Sequence, residues 1–167
     1  IKEPGGVFIA GLAKERVMNI YGIENDYKII EKIGIFESIG LWDEVEKFQS
    51  KKVFFGKKSY LFFEQTSAFF SIDVNSGSDL EIAPNKVNID ACETIIDHLK
   101  LRGIGGKIII DFLPCSHTHK KEVYNKIIEI LSGQTLQYTV FGWTRGNNFE
   151  IEIGRDRIPL SLVLDSL

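Results

Sequence analysis

Phe69-Phe70-Ser71-Ile72-Asp73-Val74-Asn75-Ser76-Gly77 and Lys107-Ile108-Ile109-Ile110-Asp111-Phe112 are the two stretches that decide the fold. Each is a short apolar run rich in β-branched or aromatic residues, the composition of a strand. The uninterrupted isoleucines of the second predict a strand buried on both faces. Each run also carries an aspartate at its C-terminal end. An ionised carboxylate set against a core is costly unless paired, hydrogen-bonded or metal-bound. The carboxyl ends of strands in open α/β sheets are also where crevices form. If the two strands are neighbours, Asp73 and Asp111 point into one crevice and can share a hard cation such as Mg²⁺. The other reading is a capping or turn role at each strand exit, because Asp is a common turn former. Asn75 returns to the face of Asp73 and can hydrogen-bond its carboxylate, a reading compatible with an Asn-Ser-Gly turn.

Working outward, Val53 to Phe55 and Tyr60 to Glu64 read as strands joined by a Gly56-Lys57-Lys58 turn. Beyond Gly77 a polar loop runs through Pro84 to a helix over Val87 to Leu101. Ile89, Cys92, Ile95, Ile96 and Leu99 make its buried stripe. Gly103 stands where a helix end wants positive φ. A helix over His119 to Leu131 turns Val123, Ile127, Ile130 and Leu131 inward. Leu136 to Phe141 and Phe149 to Ile153 complete the strands, linked by a loop that holds Trp143, Thr144 and Arg145. Pro159 opens a short C-terminal helix. This alternation predicts an α/β fold, a two-layer mixed sheet with covering helices. Toward the N-terminus, Val7 to Ala10 reads as a short strand and Gly40 to Phe48 as a helix. In that helix Leu41, Trp42, Val45 and Phe48 recur at helical spacing. Met18 to Ser38 has no clean period.

The chain has 167 residues, 44% hydrophobic and 26% charged, and its twelve Phe, five Tyr and two Trp exclude disorder. No apolar run approaches the roughly 20 residues of a membrane helix, and the start lacks a signal-peptide pattern. A cytoplasmic protein without a membrane span is expected. Cys92 and Cys115 are too few for a disulfide framework and lack zinc spacing, which fits reduced thiols. The net charge of −3 argues against a protein that coats nucleic acid through basic charge. It is compatible with an enzyme whose metal cleft must itself carry carboxylates.

Lys100, Arg102, Lys107, His117, His119, Lys120, Lys121 and Arg145 cluster near the two aspartates in sequence. Arg suits bidentate phosphate contacts and Lys adds a point charge. Solvated helix ends explain Lys100, Arg102, Lys120 and Lys121 equally well. His117 and His119 read as helix-start residues, since no third ligand has zinc spacing. His98 reads as a packing residue. No phosphate-binding P-loop and no zincin motif occurs, and Gly103-Ile104-Gly105-Gly106 enters a strand rather than a helix.

In order along the chain, several segments resemble the ribonuclease E/G family. They are Glu64 to Ala68, Ile72 to Gly77, Asn88 to Ala91, Leu99 to Phe112, Trp143 to Arg145 and Phe149 to Arg157. The resemblance runs from about Ile35 to about Leu160. It implies the catalytic, DNase I-like subdomain of a small, divergent member, over residues 51–167. Residues 1–50 would be an N-terminal segment left from an RNase H-like subdomain. The family hydrolyses single-stranded RNA internally to 5′-phosphate and 3′-hydroxyl ends. Its two Mg²⁺-holding aspartates fall on Asp73 and Asp111, and the asparagine that orients the first falls on Asn75. Lys100, Arg102, Lys107 and Arg145 are the candidate RNA contacts.

The chain departs from the family pattern as well. The family's OB-fold RNA-binding domain and its pocket for a 5′-monophosphate are not expected within these residues. Neither cysteine stands at the position of the family's zinc link, so a zinc-linked tetramer is not expected. The segment between Gly77 and Val87 is short and acidic. Alternatives to an endoribonuclease are a non-catalytic RNA-binding scaffold of the same fold, or a metal-dependent phosphodiesterase acting on DNA or small nucleotides.

Overall fold

The computed structural model describes residues 40–78 and 82–164. The chain divides into two units, Ile1–Lys47 and Phe48–Leu167. Most of the first lies outside the described residues, including the expected strand at Val7 to Ala10 and residues 1–39 of the 1–50 segment read as RNase H-like. What is described there is most of α1 (Leu41–Gln49), on which Asp43, Glu46 and Lys47 are exposed and Trp42 and Val45 half-buried.

In the second unit, alternation of large apolar and polar residues builds six strands among the described residues. These are β1 (Lys52–Phe55), β2 (Ser59–Gln65), β3 (Phe70–Asn75), β4 (Gly106–Asp111), β5 (Tyr138–Trp143) and β6 (Phe149–Ile153). They form one sheet in the order β1-β2-β3-β4-β6-β5. β3 and β4 run parallel, and the other neighbours are antiparallel. The sheet is mixed, as expected, and its helices make it an α/β architecture of the DNase I-like kind.

Helix α2 (Pro84–Leu101) makes the crossover between the parallel strands, and α3 (His117–Ser132) packs beside it. Val87, Ala91, Cys92, Ile95, Ile96 and Leu99 of α2 are buried, as are Val123, Ile127 and Leu131 of α3. They meet Leu61, Phe63, Ile72, Val74, Ile108, Ile110, Phe149 and Ile151 from one face of the sheet. Each buried aliphatic side chain contributes about 1.5–3 kcal/mol. Truncating Ile95 or Ile110 to Ala would cost about 2–5 kcal/mol, because the neighbours collapse only partly.

The local signals explain most boundaries. Helix α2 starts one turn before the expected Val87, because Pro84 has its φ preset and needs no donor in the first turn. At its end Gly103 takes φ 64°, and the Ile104 amide donates to Leu99 O at 2.9 Å, a Schellman closure. Ser116 caps α3 by accepting from the His119 amide at 3.3 Å, which puts His117 and His119 in the first turn. Strand β5 lies two residues later than expected, since a bulge at Phe141 lets it continue to Trp143. A short helix α4 (Leu160–Leu164) follows Pro159.

One expectation is overturned. β4 is buried on one face only: Ile108 and Ile110 are fully buried, whereas Lys107 and Asp111 are exposed and Ile109 is half-buried. Its unbroken isoleucine run hides an ordinary inside–outside alternation. No described helix is long and apolar enough to cross a membrane.

Candidate active site

Register places the two aspartates. Parallel pairing of β3 with β4 aligns Phe70 with Ile108 and ends by setting Asp73 opposite Asp111. Paired residues of neighbouring strands share a face, about 4.8 Å apart across the ladder. Both side chains leave the sheet on the face away from α2 and α3, where both are exposed. They are therefore not carboxylates held against the core, as the apolar flanks suggested. Water solvates them, so their juxtaposition carries no large burial cost.

The Asn75 amide donates to Asp73 Oδ2 at 2.7 Å, which fixes that carboxylate oxygen. The chain then turns at Gly77, with φ 65°, against the turn between β1 and β2. A Cβ at Gly77 would lie 2.1 Å from Lys58 O, so glycine is required. Beyond β4, Leu113 is fastened to α2. The buried Asn88 amide donates to Leu113 O at 2.9 Å, and its Oδ1 accepts from the Leu113 amide at 3.0 Å.

These segments wall a crevice of about 360 Å³. Asp73, Asn75 and Asp111 line it together with the Phe112–Cys115 segment, Lys120, Trp143 and Asn147. Among the described residues, Lys120 is the cationic side chain that lines this crevice. Its ammonium donates to Asn147 Oδ1 and lies 5.0 Å from the Trp143 ring centroid. The indole N–H of Trp143 in turn donates to Lys120 O at 2.9 Å. Asn147 adopts φ 68° in the β5–β6 turn, a conformation asparagine tolerates better than most residues. The sequence leaves Lys120 open between a phosphate contact and a solvated helix end, because its partners in this grouping lie 23 and 27 positions away.

The Ribonuclease E/G family profile matches residues 12–158. The chain belongs to the ribonuclease E/G family. It is 34% identical to Ribonuclease G of Haemophilus influenzae over 120 residues, and 30% identical to Ribonuclease G of Escherichia coli K12 over the same length. Both alignments cover 68% of this chain and 24% of the relative. Ribonuclease E of Buchnera aphidicola is 38% identical over 74 residues, 41% of this chain and 8% of that protein. The chain thus spans about a quarter of the ribonuclease G relatives it matches.

The other basic residues expected to contact RNA in this ribonuclease E/G chain are scattered. Arg145 lies exposed in the β5–β6 turn, at the aspartate end of the sheet. Lys107 shares the open face with Asp111 but stands four residues back, about 13 Å along the strand. There it is set opposite Glu152. Lys100 closes α2 at the opposite end of β4 from Asp111, and its ammonium donates to Gln134 Oε1 at 2.8 Å. Arg102 is buried: it donates to Ser50 O at 2.7 Å and to His98 Nδ1 at 3.3 Å, and lies 4.4 Å over the Phe63 ring. Burial lowers its guanidinium to about 10. Its contacts hold the core edge together rather than face the crevice.

Both cysteines are free. Cys92 is buried in α2, and burial pushes its thiol up to about 12, which makes it inert at neutral pH. Cys115 lines the crevice. Among the described residues no set of three or more His, Cys, Asp or Glu converges. Asp73 and Asp111 offer hard oxygen donors at directly paired positions. Such a pair suits Mg²⁺, which keeps several water ligands and binds through one or two carboxylates plus phosphate oxygens.

Proposed function

We propose that residues 51–167 are the catalytic part of a Mg²⁺-dependent endoribonuclease. It would hydrolyse single-stranded RNA to 5′-phosphate and 3′-hydroxyl ends, in RNA processing or decay in the cytoplasm. The observation that carries this reading is the register pairing of Asp73 with Asp111 in a family of ribonucleases, with Asn75 bonded to the first carboxylate. In this reading the two aspartates hold the cation, and Asn75 keeps Asp73 from rotating away. Bound there, Mg²⁺ would supply Lewis-acid stabilisation of the phosphate and a water of lowered pKa. Lys120, already positioned by Asn147 and Trp143, balances charge on the phosphate from within the same crevice. The Asn88–Leu113 clamp holds the Phe112–Cys115 side of the crevice against α2. Arg145 extends the cationic rim.

The test combines a Mg²⁺ titration, followed by the amide signals of Asp73, Asn75 and Asp111, with cleavage of a single-stranded RNA. Localised shifts and cleavage are expected, and both are lost in Asp73→Asn and Asp111→Asn. Cleavage at an unchanged rate in those variants would defeat the metal reading. RNA binding without cleavage in the wild type, with no Mg²⁺ response, would instead favour a non-catalytic scaffold.

A further inference from the structure

The face of the sheet that carries Asp73 and Asp111 also carries a continuous set of aromatic side chains. Following the register outward, Asp111 is opposite Asp73, Asp73 opposite Phe62, and Phe62 opposite Lys52. The adjoining row runs from Asn75 to Tyr60 to Phe54. The carboxylate site and three aromatic rings thus share two rows of one open surface. Phe54 is 67% exposed, and Tyr60 and Phe62 are half-buried. A single exposed phenylalanine means little. Phe54 and Tyr60 paired in one row, with Phe62 opposite Asp73 in the next, form a surface with direction.

Charge completes it. The Lys52 ammonium lies 3.8 Å from the Tyr60 ring centroid and 4.9 Å from that of Phe54, and those rings meet edge to face at 5.9 Å. Lys57 and Lys58 stand exposed on the β1–β2 turn, at the same end of the sheet as Asn75. Although the chain is acidic overall, this strip offers a polyanion three ammonium groups beside stacking surfaces. Exposed rings interleaved with cations on an open sheet make a surface for unpaired bases.

We propose that Phe54, Tyr60 and Phe62, with Lys52, form a base-stacking platform that leads single-stranded RNA to the Asp73–Asp111 pair. The proposal rests on the reading that this chain acts on RNA. An ammonium resting over a ring can swing to a phosphate while a base takes its place on the ring face. The bases flanking the scissile phosphate would then lie on β1 and β2, one strand step or two from the carboxylates. Because every base has a π face, the platform would bind without strong sequence preference.

The test uses the 167-residue chain and fluorescein-labelled oligouridylate in EDTA, so that binding is read without cleavage. Phe54→Ala and Tyr60→Leu are each expected to weaken binding at least about fivefold, the low end for one stacked base. Tyr60→Phe keeps the ring and should bind as the wild type does, which guards against a folding artefact. Lys52→Gln should lower the slope of log affinity against log salt by about 0.7. An abasic ribose-phosphate oligomer should be indifferent to the ring substitutions.

Equal affinity of wild type and the Phe54→Ala/Tyr60→Leu double variant would overturn the platform. So would unchanged RNA binding together with a loss of self-association, which would make this face a contact between copies. The two readings separate cleanly. Loss of cleavage in Asp73→Asn with unaltered binding in the ring variants leaves the nuclease and removes the platform. Weakened binding in the ring variants with cleavage indifferent to Asp73→Asn does the reverse.

Discussion

Asn88 and Leu113 exchange two hydrogen bonds, side-chain amide to backbone amide, across 25 positions of sequence. The pair joins α2 to the segment that leaves β4 just after Asp111. Asn88 is completely buried, so truncating it leaves both the Leu113 N–H and C=O without their partner. A buried orphan of this kind costs about 1–3 kcal/mol. Asn88→Ala should therefore destabilise the fold by roughly 2–4 kcal/mol in urea titrations. Amide shifts in the same variant should concentrate at Leu113 and Cys115. A loss under about 0.5 kcal/mol would mean that the clamp contributes nothing net.

Asn75 has a narrower part. Its bond to Asp73 lies near the surface, so Asn75→Ala should cost no more than about 1 kcal/mol of stability. Its effect should appear in cation affinity, because hydrogen bonds that orient a ligand are worth about 10–100-fold. A Mg²⁺ titration of Asn75→Ala measures this directly. Unchanged affinity would leave Asn75 as a turn residue only.

Lys120 is expected to affect RNA rather than the cation. Lys120→Met should lower kcat/KM for RNA about tenfold or more, the scale of one hydrogen bond to a charged group. Mg²⁺ shifts at Asp73 and Asp111 should persist. Asn147→Gly offers a second handle, since glycine accepts φ 68° without strain while releasing the lysine. That variant should keep its stability within about 1 kcal/mol and still lose activity. Full activity in both variants would remove Lys120 from the site.

Arg102 should behave in the opposite way. Its guanidinium spans Ser50, His98 and Phe63, contacts an ammonium cannot reproduce together. Arg102→Lys should destabilise by about 1–3 kcal/mol and leave the affinity for oligouridylate unchanged. Weaker RNA binding at unchanged stability would return it to the RNA contacts.

Sequence disclosed whatever is written locally. The strands and helices announce themselves because helices cover one face of the sheet, which stamps period two on β2 and β3 and a helical stripe on α2 and α3. The aspartates and Asn75 are legible for the same reason, each ending or following its own apolar run. The isoleucines of β4 misled, because Ile109 is as apolar as its neighbours yet faces outward. Cations near in sequence proved far in space, since Lys100 and Lys107 precede β4 or begin it while Asp111 ends it. Lys120 reached the crevice only through the packing of α3 against the β5–β6 turn, which no local pattern encodes. Phe54, Tyr60 and Phe62 read as strand formers until the register set them beside Asp73.

His98 gives the fold an acid sensitivity of its own. Its ring lies between Phe48 and Phe63, with centroids 5.6 and 5.5 Å away, and Nδ1 accepts from Arg102 Nε. Burial, and then the Arg102 charge, pull its pKa from the ordinary 6.5 to about 4. The unfolded chain therefore binds a proton at a pH where the folded chain does not. Stability from the neutral ring is complete above pH 6.5, declines as the pH falls below it, and is lost as the pH passes through about 4. At full weight a fall from 6.5 to about 4 corresponds to about 3.4 kcal/mol; the ring is only half-buried and water screens it, so the effect is on the order of 2–3 kcal/mol. His98→Phe removes the titration while keeping an aromatic ring, though it forfeits the acceptor for Arg102. Urea unfolding at pH 7 and pH 4.5 should show a smaller acid loss in His98→Phe than in the wild type, by about 2 kcal/mol. Carboxylates that titrate in the same range cancel in that comparison. Equal acid losses in the two proteins would mean that the His98 ring takes up its proton in the folded state as readily as in the unfolded one.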